Sequence, residues 1–142
     1  MNHAAPGRDV FPIPAYCYNL FGIQRFKTYG GTAIPEGTHQ VRMEFAYDGG
    51  GLAKGGAVAL FIDGSKIGEG RVDGTEPMAF SADETADVGR DTGSAVSDDY
   101  RSEASIFNGI VNWVQIDIDE AAEDLDHMIT PEERFRIAMA RQ

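Results

Sequence analysis

Apolar and polar residues alternate most cleanly over residues 39–47. Val41, Met43, Phe45 and Tyr47 fall on one side of an extended chain, and Gln40, Arg42 and Glu44 on the other. A period of two marks a strand with one covered and one wet face, as in an antiparallel sheet. Residues 55–72 extend the pattern: Val58, Leu60 and Ile62 alternate with Ala57, Ala59 and Phe61, so both faces of this strand read as apolar and buried. Asp63 and Gly64 follow, the residue types that accept the positive φ of a tight hairpin turn. Ile67 and Val72 carry the returning strand, which reads as broken by Gly68 and Gly70.

The flanking segments are less regular. Residues 16–29 are dense in aromatic and aliphatic side chains, the composition of a strand or strand pair, with Gly22 marking a bulge or bend. Gly30 and Gly31 end that run, and Pro35 and Gly37 give residues 34–37 a turn signature. Residues 48–56 read as a flexible, glycine-rich loop. They lack the Gly-x-x-x-x-Gly-Lys-Ser/Thr pattern and the following helix of a phosphate cradle, since Lys54 leads through Gly55 and Gly56 into a strand. Asp73 and Gly74 make another turn, residues 78–80 a short strand, and residues 81–100 a polar loop anchored by Val88 and Val96. Residues 106–118 alternate again. Ile110, Val114, Ile116 and Ile118 share a face with Asn112, and Val111 and Trp113 lie on the other, which predicts a strand covered at least partly on both sides.

At the two ends the pattern changes character. Pro6, Pro12 and Pro14 make residues 1–15 an extended arm. Residues 119–126 hold five acids in eight positions and read as a solvated linker. Thr130, Pro131 and Glu133 form a capping box, and Phe135, Ala138 and Met139 the apolar stripe of a short helix that must dock to be stable. The expected fold is all-β, an antiparallel β-sandwich over residues 16–119 with five to eight strands. An acidic linker and C-terminal α-helix occupy residues 120–142.

A chain of 142 residues is one domain's worth, and 42% apolar with 25% charged residues is ordinary for a globular protein. The charge of −11, from 12 basic and 23 acidic residues, repels phosphate backbones and anionic lipid, which argues against nucleic acid and membrane partners. No apolar stretch approaches the ~20 residues of a membrane span. The N-terminal residues lack the charged start and apolar centre of a signal peptide, which points to the cytoplasm. One cysteine excludes an intrachain disulfide and a multi-cysteine zinc site.

Candidate chemistry is sparse. His3, His39 and His127 lie far apart without a spaced metal-ligand partner, and His39 reads as structural. Cys17, between Tyr16 and Tyr18, reads as an inert core thiol. Asp83, Glu84, Asp87, Asp91, Asp98 and Asp99 offer the hard oxygens that calcium prefers, but their spacing fits no EF-hand. Solvated turns are the weightier reading of that loop, with Asp87, Asp91, Asp98 and Asp99 kept as calcium candidates. No catalytic residue and no cofactor site is assigned.

Several long strings, taken in order, resemble the C-terminal region of bacterial arylsulfatases: YNLFGIQRF, VRMEFAYDGGGLAKGGAVALFIDG, GEGRV, FSADETADVGRDTG and DHMITPEERFRIAMARQ. The resemblance covers residues 16–142. Residues 57–89 are also similar to the concanavalin-like jelly rolls, in which LYVDG hairpins recur. Sulfatases of this kind use a formylglycine made from the Cys or Ser of a Cys/Ser-x-Pro-x-Arg motif, and a calcium held by Asp and Asn. Cys17 is followed by Tyr18, Asn19, Leu20 and Phe21, so it does not match, and Ser-x-Pro-x-Arg occurs nowhere. With the long catalytic α/β domain absent, the resemblance implies a non-catalytic module. Its partners would be a sulfatase catalytic chain or a second copy. The surface expected to be covered is carried by Tyr16, Tyr18, Phe21 and Phe26 in the aromatic run and by Phe135 and Met139 in the last helix. Similarity to lectin-like jelly rolls implies the alternative, a carbohydrate-binding module, against which stands the placement of the single tryptophan in a covered strand.

Overall fold

A computed structural model describes residues 12–77 and 86–118. Five strands form two antiparallel sheets: β1 (Ala15–Leu20) pairs with β2 (Gln24–Tyr29), and β3 (Val41–Tyr47), β4 (Gly56–Ile62) and β5 (Ser65–Val72) form the order β3-β4-β5. The only other regular element among the described residues is a short 3-10 turn at Ser102–Ala104. The described part of the chain is therefore all-β. The short strand expected at residues 78–80 and the C-terminal helix with its linker lie outside the described residues, as does the arm up to residue 11. Pro12 and Pro14 prolong the line of β1, their carbonyls accepting from the Ile34 and Gly30 amides at 2.9 and 2.8 Å.

Both hairpins turn on two residues of positive φ, the type I′ geometry that matches strand twist. In the β4–β5 turn these are Asp63 (φ 48°) and Gly64 (φ 81°), as the Asp-Gly pair predicts. In the β1–β2 turn they are Phe21 (φ 55°) and Gly22 (φ 70°), so residues 16–29 are a strand pair and Gly22 is a turn residue rather than a bulge. The Asn19 side chain accepts from the Gly22 amide at 2.7 Å and supports the turn. Phe21 is 61% exposed in a left-handed conformation that costs an ordinary L-residue about 1–2 kcal/mol. Phe21→Asn is accordingly expected to raise stability by about 1 kcal/mol, read as a higher urea midpoint at unchanged slope.

The registers sort side chains onto faces. Tyr16, Tyr18 and Leu20 lie with Phe26 and Thr28 on one side of the first hairpin, and Cys17, Asn19, Arg25 and Lys27 on the other. In the three-stranded sheet Val58, Leu60 and Ile62 share a face with Val41, Met43 and Phe45 and with Gly68 and Gly70. The hairpin lies against this face on its β5 side. Phe26, Val58 and Val72 form the buried centre, with Tyr16, Tyr18 and Leu20 packed around it.

Gly68 and Gly70 do not break β5, which runs continuously through both. A Cβ on Gly68 would stand 2.6 Å from the Tyr29 carbonyl oxygen, and one on Gly70 would collide with the Thr28 side chain. Glycine here is what lets the β2 backbone approach the sheet. The one irregularity in the β4–β5 ladder is a bulge between Leu60 and Phe61 that leaves Ile67 without an opposite number.

Three sequence expectations are corrected. Only one face of β4 is buried: Val58, Leu60 and Ile62 are 1%, 2% and 7% exposed, whereas Ala57, Ala59 and Phe61 stay at least partly open. Phe61 is roofed by the Arg42 guanidinium, 4.3 Å from its ring centroid. The core face of β3 is only half covered, with Val41, Met43 and Phe45 each more than a third exposed. Residues 106–118 form no strand and are not covered. Ile110, Ile116 and Ile118 are all more than three-quarters exposed, because no strand among the described residues pairs with this stretch.

Candidate interaction surface

The polar side of the first hairpin carries a clamp. β2 points Lys27 and Tyr29 outward, and the loop at residues 96–100 closes over them. Lys27 Nζ bonds Asp98 and, at 2.9 Å, Asp99. Tyr29 donates to Asp99 at 2.8 Å, and the Ser97 hydroxyl to the same carboxylate at 2.8 Å. The Cys17 thiol donates to the Val96 carbonyl at 3.5 Å, and burial pushes its pKa up. Cys17 is thus a packed thiol that fastens the same loop.

The loop at residues 87–107 is knit from within. Asp91 accepts from the Tyr100 hydroxyl at 2.6 Å and from the Gly93 amide at 3.0 Å, and its own amide donates to Ser105 at 2.9 Å. Asp87 accepts from the Thr92 amide and hydroxyl at 2.8 and 2.7 Å. The calcium candidates are therefore spread over separate hydrogen-bonded tasks: Asp98 and Asp99 hold Lys27, and Asp87 and Asp91 hold loop turns. Among the described residues, no three His, Cys, Asp or Glu side chains are gathered in a way that could hold a metal ion. Asp83 and Glu84 lie outside the described residues.

Charge pairing sets the direction of each titration. Hydrogen bonds from Lys27, Ser97 and Tyr29 bring Asp99 down to about 2, and Lys27 lowers Asp98 as well. Because these folded pKa values lie below the ordinary 3.8, the clamp contributes fully above that value. It is lost as pH falls through the folded one. Amide exchange at residues 96–100, divided by the intrinsic rate of an unstructured chain at each pH, is expected to accelerate as pH drops from about 4 towards about 2. In Lys27→Met it should already be fast at neutral pH, measured by hydrogen–deuterium exchange with mass spectrometry.

His39 behaves oppositely. Its Nδ1 lies 2.6 Å from Asp63 and its Nε2 3.1 Å from the Glu36 carbonyl, both favouring the imidazolium, so its pKa is raised. That contact is complete below the ordinary 6.5 and weakens as pH rises through the folded value. Asp63 also accepts from the Gln40 amide at 2.9 Å, so His39 and Asp63 tie the β4–β5 turn to the entrance of β3.

The outer face of the sheet bears a shallow hollow of about 640 Å³, floored by Ala46, Ala57 and Ala59 and edged by Glu44, Lys66 and Glu69. Its charges are paired, Lys66 with Glu69 at 2.7 Å and Glu44 with Arg42 at 3.0 Å. No nucleophile, base and orienting group converge there. The glycine-rich loop beside it is tied rather than free. The Tyr47 hydroxyl donates to the Gly51 carbonyl and accepts from the Lys54 amide, and Asp48 pairs with Arg71.

What remains open is apolar. Val41, Met43 and Phe45 are 47%, 43% and 38% exposed on β3, an edge strand among the described residues. The second open stretch is residues 110–118, where Trp113 is 62% and Val114 59% exposed. Of the surface residues expected from sequence, Phe21 is exposed at the hairpin tip. Tyr16 and Tyr18 are half-buried against the core, and Phe26 is within it at 8%. Phe135 and Met139 lie outside the described residues. Sequence reasoning missed Val41, Met43 and Phe45 as surface residues, since their alternation says only that one face is apolar and not whether it is covered. No helix among the described residues is long and apolar enough to cross a membrane. Comparison with protein-family models, with curated proteins and with solved structures found no match to this chain.

Proposed function

We propose that this chain is a non-catalytic interaction module, of the kind that its resemblance to arylsulfatase C-terminal regions implies. The observation that supports it is the pair of apolar stretches left uncovered among the described residues, Val41, Met43 and Phe45 on β3 and residues 110–118. Exposed apolar patches on a folded chain mark places where another chain binds. On this reading the two antiparallel sheets belong to a β-sandwich of the jelly-roll, concanavalin-like type, and the module completes an assembly with a sulfatase catalytic chain or with itself. Hydrogen exchange of the two stretches, alone over a concentration series and with a formylglycine-type sulfatase catalytic chain added, tests it. Protection of either stretch by a second chain supports the reading. Fast exchange of both under every condition refutes it.

One observation favours a second reading, carbohydrate binding. The tryptophan expected in a covered strand is 62% exposed, with Phe107 also open at 47%, and sugar faces stack on exposed aromatic rings. A glycan array on the wild type and on Trp113→Ala decides it. Binding lost on substitution supports a lectin-like module, and an array without binding removes it.

A further inference from the structure

We infer that Asn108 is a site of spontaneous covalent modification, where the side-chain amide closes onto the Gly109 nitrogen and water then opens the ring, chiefly to isoaspartate. The reaction is independent of what binds the open stretches.

The chain and water supply everything it needs. The Gly109 nitrogen, having lost its proton to solvent, attacks the side-chain carbonyl carbon of Asn108. A C–N bond forms and closes a five-membered imide, the bond to Nδ2 breaks, and ammonia leaves. Water then adds to one of the two imide carbonyls. Opening at the side-chain carbonyl restores the ordinary peptide bond and leaves aspartate at 108. Opening at the main-chain carbonyl routes the backbone through the side chain and leaves isoaspartate. No electrons are exchanged. Glycine is the successor that permits ring closure most readily, because no Cβ crowds the attacking nitrogen or restricts the backbone twist.

The fold singles out this pair from its neighbours. The sequence holds four Asx-Gly pairs: Asp48-Gly49, Asp63-Gly64, Asp73-Gly74 and Asn108-Gly109. The three aspartates would have to expel an oxygen rather than ammonia, and all three face a partner. Asp48 accepts from Arg71 at 3.1 Å, Asp63 accepts from the Gln40 amide at 2.9 Å, and Asp73 lies 3.6 Å from Arg71. Asn108 and Gly109 are both exposed. Among the described residues neither the Asn108 side chain nor the Gly109 amide makes a hydrogen bond, so ring closure costs no existing contact. The other described asparagines lack the combination. Asn19 is held by the Gly22 amide at 2.7 Å and precedes Leu20. Asn112 is as exposed as Asn108, but the bulk of Trp113 follows it.

Its place in the chain sets the consequence. The Phe107 amide donates to the Gly89 carbonyl at 2.8 Å, and no backbone bond of the described residues lies beyond it. The Phe107 ring fills the space of a Gly109 Cβ, which would stand 2.6 Å from it, so glycine at 109 answers a packing need. Asparagine before that glycine makes the pair reactive. Isoaspartate lengthens the backbone by one atom and adds one negative charge to the −11 of the chain. Both changes fall between the last fastening and residues 110–118. They re-aim that stretch and leave the five strands as they are.

Ageing the full chain in 18O-labelled water, at neutral and at mildly alkaline pH, tests this. Digestion in ordinary water at acidic pH, followed by mass spectrometry, then counts only changes made during ageing. The peptide holding Asn108 should exchange its NH2 for one labelled oxygen, faster at the higher pH, while Asn112 stays unchanged. Isoaspartate, methylated by an isoaspartyl methyltransferase with S-adenosylmethionine, should be the main product. Gly109→Ala should slow the change about tenfold or more. Because that variant also presses on the Phe107 ring, the chain unfolded in guanidinium chloride provides a second gauge: the folded chain should react nearly as fast. The aged chain should keep its urea midpoint. Asn108 reacting no faster than Asn112, or at less than about a tenth of its rate in the unfolded chain, overturns the proposal. Aspartate without isoaspartate overturns ring closure in favour of direct hydrolysis. A lowered urea midpoint in the aged chain overturns the placement of the site outside the packed sheets.

Discussion

Gly68→Ala is expected to destabilise the fold by about 3 kcal/mol, the upper end of what overpacking costs, measured by urea unfolding. The reason is geometric. The new methyl would sit 2.6 Å from the Tyr29 carbonyl oxygen and 3.2 Å from the Gly30 Cα, and both are backbone atoms. A side chain can rotate away from an intruding methyl, but a backbone can relieve the clash only by moving β2 off the sheet. That movement opens the contact of Phe26 with Val58 and Val72, the buried centre of the molecule. Gly70→Ala provides the internal control, because there the added methyl meets atoms of the Thr28 side chain. Gly70→Ala should therefore be partly rescued by Thr28→Ala, and Gly68→Ala should not. Equal rescue of both would show that the hairpin is not held against β5 in the way described.

These two glycines also mark where sequence reading stopped. The β4–β5 hairpin was legible because everything that makes it is local: alternating apolar residues, an Asp-Gly turn, and a second strand in the right place. Gly68 and Gly70 were read as interruptions because the reason for them, Thr28 and Tyr29, lies some forty residues away in the chain. The β1–β2 turn was half legible. Gly22 signalled a change of direction, but Phe21 is not a residue that announces a left-handed turn, so the hairpin read equally as one bent strand. The acids of the loop were visible as acids. That Asp98 and Asp99 clamp Lys27 was not, since ion pairing between β2 and this loop leaves no local pattern.

The same limit governs the candidate surface. Period-two alternation at residues 39–47 and 106–118 says that each stretch has an apolar side suited to a sheet. It does not say what lies on that side. At β3 the hairpin covers β4 and β5 and stops short, which leaves Val41, Met43 and Phe45 open. At residues 110–118 no strand among the described residues is alongside. A sequence pattern reports what a segment needs, and the fold decides whether the same chain supplies it. Among the described residues these two stretches go uncovered, and that is the ground for the interaction-module reading.

Leu60→Ala separates the met needs from the unmet ones. Leu60 is 2% exposed, between Met43 on one neighbouring strand and Gly68 on the other, with the Tyr29 backbone passing over that glycine. Truncation should leave a cavity that backbone on this side cannot fill, at a cost of about 3–4 kcal/mol, within the range for buried Leu→Ala. Against the ~5–15 kcal/mol of a typical domain this is a large fraction of all stability. Phe45→Ser, at a position 38% exposed on the same face, should cost about 1–2 kcal/mol in the isolated chain. Its larger effect belongs to association, since Phe45 lies on the open face that the interaction-module reading gives to a partner. Chemical denaturation at low protein concentration, compared with light scattering at high concentration, resolves the two. Should Phe45→Ser prove as costly to folding as Leu60→Ala, the open face of β3 is already covered within one chain, and the case for an interaction surface there is lost.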